Sequence, residues 1–109
     1  MTLTSLTGWG PPYVGEMSTY FMCANRNKRS VAIDLKSHEG QQVIHDLVEK
    51  SDVFVENYLP GKLQEYNLHY EALREVNPGL IYASISGFGQ SGPSRNKPGY
   101  DVVMSGMQH

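Results

Sequence analysis

Asp52-Val53-Phe54-Val55-Glu56-Asn57-Tyr58-Leu59-Pro60-Gly61-Lys62 is an apolar, β-branched run that empties into a polar, sharply turning loop. A short apolar run closed by turn residues reads as a buried strand. In open α/β folds the crevice outside the carboxyl ends of parallel strands holds the ligand, and the loop leaving the strand supplies binding groups. Asn57 and Tyr58 are the first residues at that rim.

Working outward, residues 29–35 (R-S-V-A-I-D-L) are apolar and branched enough to predict another strand. Ser37 is placed to cap a helix running to about residue 50, with Val43, Ile44, Leu47 and Val48 on one face and His45, Asp46, Glu49 and Lys50 mostly away from it. Beyond the Leu59-Pro60-Gly61 turn, a short helical piece carries Leu63 and Tyr66. A further helix fits residues 70–76 and ends at Asn77-Pro78-Gly79, since Pro78 biases Asn77 away from helix. Residues 80–85 predict a third strand, residues 86–99 a glycine-rich polar loop, and residues 100–107 the start of a helix. Short apolar strands separated by helices predict an α/β fold, a partial Rossmann-like parallel sheet with crossover helices. Residues 1–28 read as an irregular aromatic, Gly- and Pro-rich segment, and residues 29–109 as an incomplete domain that needs more strand and helix to cover its faces.

Composition narrows the function classes. The 109 residues are 39% hydrophobic and 18% charged, with net charge −2 at pH 7, which fits a globular domain with no global attraction to nucleic acid or anionic membrane. Cys23 is the single cysteine, so no intramolecular disulfide forms, and a reducing compartment fits. There is no run of about 20 apolar residues, and the first residues have neither a signal pattern nor the arginines of a transit peptide.

The remaining motifs each have a plain alternative. Gly87-Phe88-Gly89-Gln90-Ser91-Gly92 spells G-x-G-x-x-G after a strand, yet Pro93 and Pro98 obstruct the helix that would hold a pyrophosphate, and no acidic residue lies about 20 positions on. It reads as a flexible loop rather than a nicotinamide or flavin site. Arg26, Lys28 and Arg29 precede the first predicted strand and Lys36 follows it, so Lys36 alone stands on the ligand side of the sheet, and the other three read as a solvated turn. His38, His45, His69 and His109 show no metal-ligand spacing, and no metal is expected. Asp101 suits a helix N-terminus better than catalysis.

Taken in order, N-R-N-K-R-S-V-A-I-D-L-K, D-V-F-V-E-N-Y-L-P-G-K-L, N-P-G-L-I-Y-A-S-I-S-G-F-G-Q-S-G-P and P-G-Y-D resemble successive motifs of the family III CoA-transferases, the CaiB/BaiF type. The likeness runs from about Trp9 to Asp101. W-G-P-P-Y-V-G and V-E-N-Y-x-P-G-K-L are most similar to the mitochondrial branch that moves CoA from succinyl-CoA to a dicarboxylate such as glutarate. The resemblance implies a Rossmann-like CoA-binding domain, an interlocked homodimer in the full-length protein, and CoA thioester and dicarboxylic acid as substrates, with no tightly bound cofactor. By position, Ile33, Asp34, Leu35 and Lys36 would border the adenosine of CoA. Asn57, Tyr58 and Leu59 would line the path of its phosphates and pantetheine, and Pro98, Gly99, Tyr100 and Asp101 would approach from the next loop. Glu65 stands where a well-studied branch has Arg, and a carboxylate beside phosphate would weaken binding.

The family chemistry implied is covalent. An aspartate attacks the thioester carbonyl, CoA thiolate leaves, and the thiolate returns to give an aspartyl-CoA thioester that the acceptor carboxylate then enters. That aspartate falls downstream of P-G-Y-D, so no residue of this chain is expected to be catalytic, and the chain alone is expected to be inactive. A non-catalytic truncated form that interacts with full-length subunits, and another nucleotide-binding module using the glycine loop, are the alternative readings.

Overall fold

The computed structural model describes residues 10–99 and 105–106 and divides into two compact units, residues 1–32 and 33–109. In the first, β1 (Tyr13–Val14) and β2 (Met17–Ser18) form an antiparallel hairpin around Gly15, which takes a φ of 62°. Helix α1 (Thr19–Asn25) follows, and Thr19 returns to the hairpin by donating from its backbone N–H and its hydroxyl to the Pro12 carbonyl, both at 3.1 Å. The expected irregular segment therefore contains a hairpin and a helix. Strands only two residues long are too short for an alternating pattern to show in the sequence.

The second unit is built on α2 (His38–Glu49), β3 (Val53–Glu56), a 3₁₀ turn (Lys62–Tyr66), α3 (Tyr70–Val76) and β4 (Ile81–Ser84). Ser37 caps α2 as expected, its hydroxyl accepting from Gly40 N–H at 2.9 Å while donating to the Asp34 carbonyl at 3.1 Å. Only part of the apolar stripe is used. Val48 is buried and Ile44 packs beside it, whereas Val43 and Leu47 stay exposed. β3 and β4 pair in parallel with Val53 opposite Ile81 and Glu56 opposite Ser84, as an α/β crossover requires. The chain between them supplies the core: Leu63, Leu68 and Leu73 are buried with Val48, and Phe54, Tyr66, Val76, Leu80 and Tyr82 close around them. Asn67, with φ of 60°, ends the 3₁₀ turn, and its carbonyl lies 3.0 Å from His45 Nε2, a solvent-exposed contact that ties the turn to α2.

The strand expected at residues 29–35 does not form. Residues 28–34 are irregular and straddle the boundary between the two units, and Val31 is exposed. The apolar pattern asks for an extended chain, but a strand also needs a partner, and here Asp34 satisfies local donors instead. Its carboxylate accepts from Lys36 N–H at 3.0 Å and its carbonyl from Ser37 N–H at 3.2 Å. Residues 33–36 are thus the turn that launches α2.

Candidate functional site

Both parallel strands end at the same level, Glu56 opposite Ser84, with Ile85 N–H reaching back to the Glu56 carbonyl at 2.8 Å. The loops leaving them diverge and enclose a cleft of about 370 Å³ lined by Asn57, Tyr58, Leu59 and Pro60 on one side and Ile85, Ser86, Gly87, Arg95, Lys97, Pro98 and Gly99 on the other. The Glu56 carboxylate fixes the first loop by accepting from Tyr58 N–H at 2.7 Å, and Tyr58 packs against the core while Asn57 stays exposed at the rim.

The second loop is closed by two glycines. Gly87 and Gly99 pass so tightly that a Cβ on either would collide with the other's backbone. The residues between are shaped by Gly89 and Gly92 at φ of 82° and 90°, and by two turns in which Arg95 N–H meets the Gly92 carbonyl at 3.4 Å and Lys97 N–H the Ser94 carbonyl at 2.9 Å. Gln90 ties the loop to β4 by donating to Ser84 Oγ at 2.6 Å. No helix follows within residues 87–99, so the G-x-G-x-x-G spelling has no helix N-terminus to offer a pyrophosphate.

Five of the expected site residues, Asn57, Tyr58, Leu59, Pro98 and Gly99, therefore meet in one cleft. Ile33, Asp34, Leu35 and Lys36 do not line it, and sit instead in the turn before α2, where Leu35 packs on the core and its carbonyl accepts from Gln41 at 3.0 Å. Tyr100 and Asp101, like most of the helix expected after residue 99, lie outside the described residues. Sequence reasoning missed Arg95 and Lys97 as cleft residues. Two cations in a proline- and glycine-rich loop leaving a parallel strand were the available signal.

A second cavity of about 330 Å³ shares Leu59 and Pro60 but turns toward α3, where Glu56, Glu71, His69 and Tyr82 line it and no Lys or Arg does. Burial, and then the carboxylates of Glu56 and Glu71, push the Tyr82 phenol up to about 12. Its acidic lining disfavours phosphate, whereas the cleft beside Arg95 and Lys97 favours it. Glu65 lines neither cavity and is held by Lys62 at 2.6 Å, so its charge is answered locally. Among the described residues, no group of three or more His, Cys, Asp or Glu could hold a metal ion, and no helix is long and apolar enough to cross a membrane.

An α/β protein whose parallel strands open into a cation-lined cleft is the class this geometry defines, one suited to an extended ligand with anionic groups. The chain belongs to CoA-transferase family III, whose sequence profile matches residues 5–108. It is 49% identical over 104 residues to the human succinyl-CoA:glutarate CoA-transferase, covering 93% of this chain and 24% of that protein. It is 47% identical to the succinate–glutarate CoA-transferase of Agrobacterium fabrum, covering 91% of this chain and 26% of the relative. Its fold is similar to the crystal structure of a CAIB/BAIF family protein from Brucella suis, with a TM-score of 0.85, 42% identity, and coverage of 94% of this chain and 28% of that one. The chain thus spans about a quarter of the length of these relatives.

Proposed function

We propose that the cleft at the ends of β3 and β4 is the CoA-binding part of a transferase that moves CoA from succinyl-CoA to a dicarboxylate such as glutarate. The observation that carries this reading is the convergence of Asn57-Tyr58-Leu59 with Pro98-Gly99 around one strand-end cleft in a family III chain. Asn57 offers both a donor and an acceptor for the amides of pantetheine, and the cleft's cations suit the phosphates. On the same reading these residues belong to a Rossmann-like domain of a mitochondrial, interlocked homodimeric enzyme, as the family resemblance implies.

The acyl exchange then runs through an aspartate outside residues 1–109. Its carboxylate attacks the succinyl thioester and expels CoA thiolate, leaving a mixed anhydride. The thiolate attacks the aspartyl carbonyl and succinate departs, after which the acceptor carboxylate repeats the sequence in reverse. The described aspartates support this assignment. Asp34 and Asp46 are engaged in local hydrogen bonds with Lys36 and Gln42, and Asp52 stands at the opposite end of β3 from the cleft.

Isothermal titration of the 109-residue chain with CoA and with NAD tests the binding half of the proposal. Saturable binding of CoA alone is the expected result, and binding of NAD without CoA would replace it with the dinucleotide reading. Incubation with succinyl-CoA and glutarate should yield no glutaryl-CoA by chromatography. Turnover by the purified chain would show that the nucleophile lies within it.

A further inference from the structure

Resting on the CoA-binding reading, we infer that Arg95 and Lys97 are the residues that hold the phosphate groups of the bound CoA, and that the Gly87–Gly99 crossing is what places them. CoA carries a pyrophosphate and a 3′-phosphate, so its site needs cations aimed into the cleft rather than spread over the surface. Among the described residues the cleft's cations are these two. Neither is in an ion pair: the ion pairs of the described residues are Lys62 with Glu65 and His69 with Glu71, both away from the cleft. Among the described residues no carboxylate lines the cleft to compete for them, in contrast to the neighbouring cavity with Glu56 and Glu71.

The backbone around the pair is specified. Residues 88–98 leave and return through one glycine crossing that admits no side chain, and the turns at Gly92–Arg95 and Ser94–Lys97 set where each cation leaves the loop. Arg supplies a planar fork and Lys a point charge, a combination that suits a pyrophosphate or a phosphomonoester. The basic run Arg26-Asn27-Lys28-Arg29 and Lys36 take no part in this cleft.

The test is calorimetric titration of CoA into the intact 109-residue chain and into Arg95→Ala, Lys97→Ala, the double variant and Arg95→Lys, with the distant Lys50→Ala as control, at low and at physiological salt. Each alanine variant should weaken CoA about ten-fold or more, as expected for loss of a charged hydrogen bond. Arg95→Lys should recover part of the loss. The double variant should also lose the salt sensitivity of the wild type, which a merely structural role for the loop would leave in place. Dephospho-CoA separates the two sources of charge: a loss that persists assigns the cations to the pyrophosphate, and a loss that disappears assigns them to the 3′-phosphate. Unchanged CoA affinity in the double variant, or a loss that keeps the wild-type salt sensitivity, overturns the inference while leaving CoA binding intact. Absence of CoA binding by the wild type overturns the CoA-binding reading and the inference with it.

Discussion

Asn77 shows how one side chain can join three segments. Its amide donates to the carbonyl of Val48 at 3.1 Å, which also accepts from Ser51 N–H at the end of α2, and to the carbonyl of Ser51 at 2.8 Å, and its Oδ1 accepts from Gly79 N–H at 3.0 Å in the turn entering β4. Asn77→Ala removes all three bonds and takes from the Ser51 carbonyl the partner it has here, so it should destabilise the fold by about 2–3 kcal/mol, read as a lower urea midpoint. Asn77→Asp keeps the acceptor but loses the donors and should rescue little. Tyr82 makes a pH-dependent contribution. Its phenol is raised from 10.0 to about 12 by burial and by Glu56 and Glu71, so the folded chain holds the proton more tightly than the unfolded one. The stability from this group is complete below pH 10 and is lost as pH rises toward 12. Urea midpoints measured across that window should fall more steeply for the wild type than for Tyr82→Phe. Equal slopes would mean the phenol does not sense its surroundings as described.

Among the elements, α2, α3 and β3 were legible because each carries its own start and stop: Ser37 as cap, Asn77-Pro78-Gly79 as terminator, and Leu59-Pro60-Gly61 after β3, with Gly61 at φ of 85°. Residues 29–35 show the limit of that reading. Their pattern is as strand-like as that of residues 53–56, but pairing depends on a neighbouring strand that periodicity does not encode. The cleft was half legible for a related reason. Asn57 and Tyr58 follow from the rule that ligands sit beyond strand ends, whereas Arg95 and Lys97 reach the same cleft only through the Gly87–Gly99 crossing, a contact between residues twelve apart that no local motif announces. The element most exposed to a single change is α3. Leu73 is fully buried where α3 meets Val48 of α2, and Leu73→Ala should cost about 2–5 kcal/mol and unfold most of this small unit, seen as loss of the cooperative melt by circular dichroism. Leu47→Ala, on the exposed side of α2, should leave the melting temperature nearly unchanged.

On the scale of the whole molecule, the described residues pack closely against one side only of the parallel pair. Phe54 and Tyr82 stack 5.2 Å apart on the core side, while Val53, Val55, Ile81 and Ile85 present between 49% and 62% of their surface on the other. Parallel sheets ordinarily bury both faces, which is why their strands read as continuous apolar runs rather than alternating ones. That continuity made residues 52–56 and 80–85 conspicuous in the sequence, and it now marks an apolar surface on a chain that spans about a quarter of its relatives' length. An anilinonaphthalene sulfonate dye should therefore fluoresce in the presence of the folded chain. Replacing Val55 and Ile81 together by Thr keeps branched side chains suited to a strand and removes apolar surface where no packing is lost. The double variant should show markedly weaker dye fluorescence with a melting temperature within a few degrees of the wild type. Full retention of the signal would place the dye elsewhere, and a collapse of the melt would mean that this face already packs against part of the chain.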